Sequence, residues 1–142
     1  MINNVLMKYI VEAEQPSDGG LESLLKIIKF YNGTSSINDL NYLIQKNYPK
    51  SSFKLLIEAA KNNGLIAVHC KEVTINDVIE YNQPLLIKFF GQRGDIHFVF
   101  FKSFSALDGF HIWDSRKGYY SLTKENFKQL WHNNDCIAFV SD

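Results

Sequence analysis

The chain has 142 residues, of which 46% are hydrophobic, and fifteen basic side chains balance fifteen acidic ones. A chain of this length folds as one domain, so we expect a single domain over residues 1–142. With no net charge there is no field to attract nucleic acid or an anionic membrane, and neither is expected as a partner. No apolar run approaches the roughly 20 residues that span a bilayer, and the N-terminal stretch "MINNVLMKYIVEAE" lacks the features of a secretory signal.

Three helices are predicted at the start of the chain. The apolar residues of the first fall three or four positions apart, namely Leu21, Leu24, Leu25, Ile28 and Tyr31. Such spacing is typical of one helix face, and "YNG" ends the pattern. Ser36 caps a second helix, "INDLNYLIQK", with Asp39 in capping-box register. The third, "SSFKLLIEAAKNNG", ends at Asn63 and Gly64.

Strands are predicted after Gly64, where β-favouring residues dominate. The segments are "LIAVHCKEV", "QPLLIKFF", "DIHFVFFKSFS", "GFHIWDS", "GYYSLT" and "CIAFV". A short helix with Thr74 and Asp77 in capping-box register follows the first segment, and "KENFKQLW" forms the last helix. Helices first and antiparallel strands later predict an α+β fold in which the sheet packs against the first helix.

Three stretches of the sequence together suggest a catalytic triad. His97 stands near the start of a strand, where an imidazole can act as a general base, although a histidine with no role on a sheet face is the simpler interpretation. Asp114 ends the next strand and could orient that imidazole, although turn-capping is the commonest use of aspartate there. The nucleophile would come from the helix start in "SDGGLESLL", because such an end acidifies a thiol. Gly19 and Gly20 supply neither sulfur nor oxygen.

The motifs "SDGGLESLLKIIKFYNG", "NNGLIAV", "HFVF" and "IWDSRKGYYSLTKENFKQLW" occur in an order that resembles a known family. It is the papain-like cysteine peptidase domain at the N-terminus of bacterial ABC transporters that process and export double-glycine leader peptides, including bacteriocins. The resemblance covers about Tyr9 to Val140 and implies a papain-like fold. It matches His97 to the catalytic histidine, Asp114 to the catalytic aspartate, Gly19 to the catalytic cysteine and Gly20 to the glycine after it.

The departures from the family pattern cluster around one part of the site. The oxyanion-hole glutamine falls on Ala13 in an ungapped match, or on Gln15 if the following loop is two residues shorter. Ser115 replaces the usual proline, and Glu22 stands where the family prefers a small residue. These changes put catalysis in doubt and leave the fold intact.

Two functions therefore remain open. In the first, a degenerate peptidase-like domain binds a leader-bearing peptide or protein cargo along a groove beside Gly19 and His97, with Asp18 and Gly20 in contact with the peptide. The implied partners are the transmembrane and ATPase domains of an ABC exporter, at the cytoplasmic face of the membrane, with no cofactor. In the second, an active peptidase has had its cysteine replaced by glycine. Ser17 and Ser23 are unconvincing substitutes for the nucleophile.

The two cysteines, Cys70 and Cys136, stand in short apolar runs and are interpreted as small buried hydrophobic residues. Metal binding by these thiols together with His69 and His132 is the weakest hypothesis, because adjacent strand residues point to opposite faces. We expect no metal site. His111 is interpreted as a packing or surface residue.

Overall fold

The computed structural model describes residues 18–31, 52–91 and 94–141. Its helices are α1 (Gly20–Phe30), α2 (Phe53–Asn62), α3 (Ile75–Tyr81) and α4 (Lys124–Leu130). Its strands are β1 (Leu65–Cys70), β2 (Leu85–Phe90), β3 (Ile96–Ser105), β4 (Gly109–Asp114), β5 (Gly118–Leu122) and β6 (Trp131–Ser141). The predicted helix "INDLNYLIQK", with its caps Ser36 and Asp39, lies outside the described residues.

The six strands form one sheet in the order β1-β6-β2-β3-β4-β5, and each neighbouring pair is antiparallel. Helix α1 packs on β3 and α2 packs on β1. The predicted α+β class, with helices on an antiparallel sheet, is confirmed. Strand β3 lies between β2 and β4, but its pairing with β4 begins only at Phe100, so His97 near its start is paired with β2 alone.

Both faces of the sheet are covered by apolar side chains. On one face Leu24, Leu56 and Phe98 belong to a cluster that includes α1 and α2. On the other face Phe101 and Phe127 belong to a cluster that includes α3 and α4. Since successive strand residues alternate between faces, the run "HFVFF" of β3 is buried on both sides, which holds the start of this strand rigidly.

Two strand boundaries differ from the predictions. Strand β1 stops at Cys70, short of the end of "LIAVHCKEV", because Glu72 takes a positive φ of 55° that an extended strand does not allow. Strand β6 begins at Trp131, before the predicted "CIAFV". Its first part bulges away from β2 at Asn133 and Asn134, which have φ of 65° and 52°, and asparagine tolerates this region better than most residues.

The predicted capping box of α3 is confirmed. The Thr74 hydroxyl accepts a hydrogen bond from the Asp77 backbone NH, and the Asp77 carboxylate accepts one from the Thr74 NH. In the part of the chain that the structure describes, no helix has both the length and the apolar character to cross a membrane.

Candidate active site

His97 is the second residue of β3 and points to the face of the sheet that carries Phe89. Phe89 is its cross-strand partner, with the two rings edge to face at 6.4 Å between centroids. The side chain of His97 is mostly buried. Packing against an aromatic ring on a buried strand leaves the imidazole little freedom to rotate.

Asp114, the last residue of β4, holds the His97 ring from the neighbouring strand. The His97 Nε2 atom lies 2.9 Å from the Asp114 Oδ2 atom, and the backbone NH of Arg116 donates to Oδ1 at 2.7 Å. Burial raises the pKa of the Asp114 carboxyl, but the hydrogen bond from His97 and the backbone NH groups of Arg116 and Lys117 outweigh it and bring the pKa below 3.8. The carboxylate is therefore ionised and fixed, which suits a group that orients an imidazole.

The second ring nitrogen of His97 has no hydrogen-bond partner among the described residues. The Nδ1 atom is buried, and leaving a buried polar atom unsatisfied costs about 1–3 kcal/mol. With Nε2 bound to Asp114, Nδ1 is the atom left to exchange a proton with a reactant.

Gly19 directly precedes α1 and has a left-handed backbone with φ of 81°. A Cβ atom built on this residue would lie 2.6 Å from the Phe98 carbonyl oxygen and 3.2 Å from the Ser115 Oγ atom. Both the backbone conformation and the available space therefore favour glycine over any residue with a side chain. Gly19, which the resemblance matches to the catalytic cysteine, therefore lies against Phe98 of β3, the residue that follows His97.

Asp18 ties the start of α1 to β3. Its carbonyl oxygen accepts a hydrogen bond from the Phe98 backbone NH at 2.6 Å, and its carboxylate accepts one from the Gly20 NH at 3.0 Å. The negative charge of the Asp18 carboxylate therefore lies next to the positive end of the α1 helix dipole, which is a favourable position. The fully buried Ser23 hydroxyl donates a hydrogen bond to the Phe98 carbonyl at 3.3 Å, so this side chain links α1 to β3.

The other predicted site residues are placed as follows. Gln15, Ala13 and Ser17 lie outside the described residues, so the oxyanion position stays a prediction. Ser115 is exposed and lies beside Gly19. Two departures from the family pattern, glycine in place of cysteine at Gly19 and serine in place of proline at Ser115, are therefore neighbours in space.

The second imidazole–carboxylate pair was not predicted from the sequence. His69 Nε2 lies 2.9 Å from the Asp135 Oδ2 atom, and the His69 ring contacts Phe53 edge to face. Asp135 is buried within the bulge of β6, and no strand pattern in the sequence indicated that bulge. Among the described residues no three histidine, cysteine or acidic side chains group as metal ligands.

Comparisons with known proteins place this arrangement in context. Residues 7–141 match the model of the Peptidase C39 family. A double glycine motif protease from an AMS/PCAT transporter, solved in complex with the leader peptide, has a TM-score of 0.72 at 21% identity, covering 91% of this chain and 87% of that chain. No curated protein matches the chain.

Two further solved structures have the same fold. The peptidase domain of Streptococcus ComA, a bi-functional ABC transporter involved in a quorum sensing pathway, has a TM-score of 0.72 at 21% identity, with 88% of this chain and 92% of that chain covered. The N-terminal peptidase C39 like domain of a toxin secretion ATP-binding protein from Vibrio parahaemolyticus has a TM-score of 0.67 at 17% identity, with 90% and 100% covered. The expected papain-like fold is confirmed.

Proposed function

This chain belongs to the peptidase C39 family, and we propose that it binds a leader-bearing peptide without hydrolysing it. The observation that carries the proposal is the combination of an oriented His97–Asp114 pair with a glycine at the position of the nucleophile. We further propose that residues 1–142 act as one domain in this role.

The chemistry of peptide hydrolysis supports the loss of cleavage. Covalent catalysis needs a thiol or hydroxyl within hydrogen-bond reach of the base, about 2.6–3.2 Å. The His97 Nδ1 atom has no such partner among the described residues, which include Ser115 and Ser23. Without a nucleophile, peptide binding and polar groups alone give only a small residual rate.

An exposed apolar pair beside the site supports the binding role. Phe90 and Ile96 are cross-strand partners at the end of the β2–β3 hairpin, next to the pair formed by Phe89 and His97. Their exposed fractions are 44% and 39%. We propose that these two side chains contact apolar residues of the leader and that the peptide passes beside Asp18 and Gly20. The Asp18 carbonyl and the Gly20 NH are already hydrogen-bonded within the chain, so they do not bind the peptide main chain themselves.

The proposed partners follow from the relatives. One solved relative carries a leader peptide, and another is the peptidase domain of an ABC transporter. We propose a peptide or protein cargo with a leader segment as the ligand, and the transmembrane and ATPase domains of an exporter as further partners, at the cytoplasmic face of the membrane.

A direct test combines binding with product analysis. A synthetic peptide with a double-glycine leader is titrated against the purified chain by fluorescence anisotropy, and the same mixture is then analysed by mass spectrometry. We expect saturable binding, a scrambled peptide that binds at least about tenfold more weakly, and an intact leader peptide after prolonged incubation. A peptide cut after the two glycines would refute the proposal, and Ser115→Ala would then show whether the Ser115 hydroxyl had acted.

Two variants test the proposed contact surface. Phe90→Ala should weaken leader binding by roughly tenfold, because it removes a large apolar contact worth about 1–2 kcal/mol. Leu107→Ala is the matched control, since Leu107 is 92% exposed in the turn at the far end of β3. The assignment of Phe90 to the leader-binding surface would be contradicted if both variants lost affinity equally, or if neither variant lost affinity.

The second candidate function is an active leader peptidase whose cysteine has been replaced by Gly19. The retained geometry of His97 and Asp114 favours it, because an orienting carboxylate has little use without a catalytic base. The left-handed backbone of Gly19 and its contact with the Phe98 carbonyl favour the binding role instead. Gly19→Cys decides between them: specific cleavage by this variant would establish the second function, and binding without cleavage would support the first.

A further inference from the structure

The only two cysteines of the chain face each other across two neighbouring strands. Cys70 ends β1 and is the register partner of Cys136 in the antiparallel β1–β6 ladder. Directly opposed residues in such a ladder have Cα atoms about 4.5–5.5 Å apart. Disulfide-bonded cysteines have Cα separations of about 4.4–6.8 Å. The backbone therefore already holds the two residues at a bonding distance.

Both side chains also point to the same side of the sheet. They line one cavity of about 180 Å³ beneath α3, together with Val78 and Tyr81. The Cys70 thiol donates a hydrogen bond to the Val68 carbonyl at 3.7 Å, and both cysteines are free in this structure. The interpretation of both cysteines as small buried hydrophobic residues therefore holds for Cys136 but not for Cys70, which is only half-buried.

The backbone is fixed on both sides of this pair. The β1–β6 ladder continues from Cys70 back to Leu65. Just beyond the pair, the Val73 backbone NH donates to the Asn134 carbonyl at 2.9 Å, and the Asn134 side-chain amide donates to the Val73 carbonyl at 3.1 Å. Because the native hydrogen bonds hold the two chain segments together, ring closure requires little additional ordering.

We propose that Cys70 and Cys136 form a reversible redox site that closes to an intramolecular disulfide when a small-molecule disulfide is the oxidant. The Cys70 thiolate attacks one sulfur of the oxidant, forms a mixed disulfide and displaces one small thiolate, which takes up the Cys70 proton. Cys136 then attacks the Cys70 sulfur, and the second small thiol leaves with the Cys136 proton. Two protein thiols are oxidised and one small disulfide is reduced to two thiols.

The environments of the two thiols set the order of these steps. Cys136 is buried, and burial, followed by the effects of Cys70 and Asp135, raises the pKa of its thiol to about 12. A thiol with so high a pKa is a poor first nucleophile. Cys70 is half-buried at the end of β1, so it is the thiol that an oxidant in solution reaches.

The test counts free thiols in the full chain after equilibration with mixtures of oxidised and reduced glutathione. The protein is quenched with an alkylating reagent in denaturant and weighed by intact-mass spectrometry. We expect both thiols to be lost together in one reversible step that is independent of protein concentration, without retained glutathione. Proteolysis without reduction should then release a peptide that joins Cys70 to Cys136.

The single variants Cys70→Ser and Cys136→Ser are the controls. Each variant replaces one thiol with a hydroxyl of nearly the same size. In each variant the remaining cysteine should end either as a mixed disulfide with glutathione or as a free thiol. Wild-type protein that accumulates glutathione adducts, forms covalent dimers or keeps both thiols alkylatable in excess oxidised glutathione would overturn the proposal. These outcomes are independent of leader binding, so a failure here leaves the proposed function untouched.

Discussion

The backbone of Gly19 has a conformation that few other residues adopt. Its φ of 81° lies in the left-handed region, and the Phe98 carbonyl oxygen occupies the space that a Cβ atom would need. Two separate costs therefore oppose any side chain here, one from the backbone and one from the contact. The backbone cost and the contact cost can be measured separately, because Gly64 has a left-handed backbone but no atom close to the position of a Cβ.

Gly19→Ala should lower the free energy of unfolding more than Gly64→Ala does. Gly64 has a φ of 83° and no atom within 4 Å of a built Cβ, so its substitution reports the backbone cost alone, about 1 kcal/mol. We expect Gly19→Ala to cost about 1–3 kcal/mol more because it also displaces the Phe98 carbonyl. Urea unfolding of the two variants gives the difference, and equal losses would show that the contact with Phe98 is not tight.

The ionised state of Asp114 contributes to stability over a defined range of pH. Its folded pKa is lowered below 3.8, so the contribution is fully present above that value and is lost as the pH falls through the folded pKa. Asp114→Asn has no such titration. The difference in unfolding free energy between wild type and variant should therefore shrink below about pH 4. Denaturant unfolding across a pH series measures this difference. A difference that stays constant with pH would contradict a lowered pKa of Asp114.

Single residues of the site were predictable to different degrees. His97 and Asp114 could be paired from the sequence because each stands at the end of a clear strand and the two strands are consecutive. The pair of His69 and Asp135 could not, since their contact depends on the bulge of β6, which has no signature in the apolar pattern. The opposition of Cys70 and Cys136 depends on strand order, which sequence spacing does not reveal.

At the scale of elements, the start of α1 determines the geometry of the site. Asp18 joins this helix end to β3 through one backbone and one side-chain hydrogen bond. Periodicity predicted α1, α2, α4 and four of the six strands closely, because their apolar faces follow the helical or strand period. Strand β1 ends three residues before its predicted end. The start of β6 was missed, because the positive φ angles of Asn133 and Asn134 are set by tertiary contacts.

Asp18→Ala should destabilise the chain by about 1 kcal/mol, because the Gly20 NH loses its carboxylate acceptor at the helix end. Asp18→Asn is the matched control, since its side-chain oxygen can still accept that hydrogen bond, and it should cost only a few tenths of this value. Thermal unfolding followed by circular dichroism compares the two. If both variants lose the same stability, the charge of Asp18 matters and the hydrogen bond does not.

At the scale of the whole molecule, the sheet connects the candidate site to the cysteine pair. His97 lies on β3 and Cys136 lies on β6, with β2 between them. A disulfide between Cys70 and Cys136 would close the long segment of chain that contains α3 and strands β2 to β5. Cross-linking distant positions restricts the unfolded chain more than the folded one, so the oxidised form should be the more stable.

Oxidised protein should unfold at a higher temperature than reduced protein. The gain expected from loop closure is at most about 4 kcal/mol, and strain in a directly opposed strand pair reduces it. Reductant should abolish the gain, and Cys70→Ser should show none. Calorimetry of the oxidised, reduced and variant proteins measures the effect, and an unchanged unfolding temperature on oxidation would contradict it.

The central claim is that a peptidase fold with an oriented His97–Asp114 pair and Gly19 in place of a nucleophile binds a leader peptide and leaves it intact. Calorimetric titration of the chain with a double-glycine leader peptide, followed by mass spectrometry of the recovered peptide, tests both halves in one sample. The prediction is one-site saturable binding and a full-length peptide. Recovery of a peptide cut after the double glycine, or the absence of any binding, would contradict it.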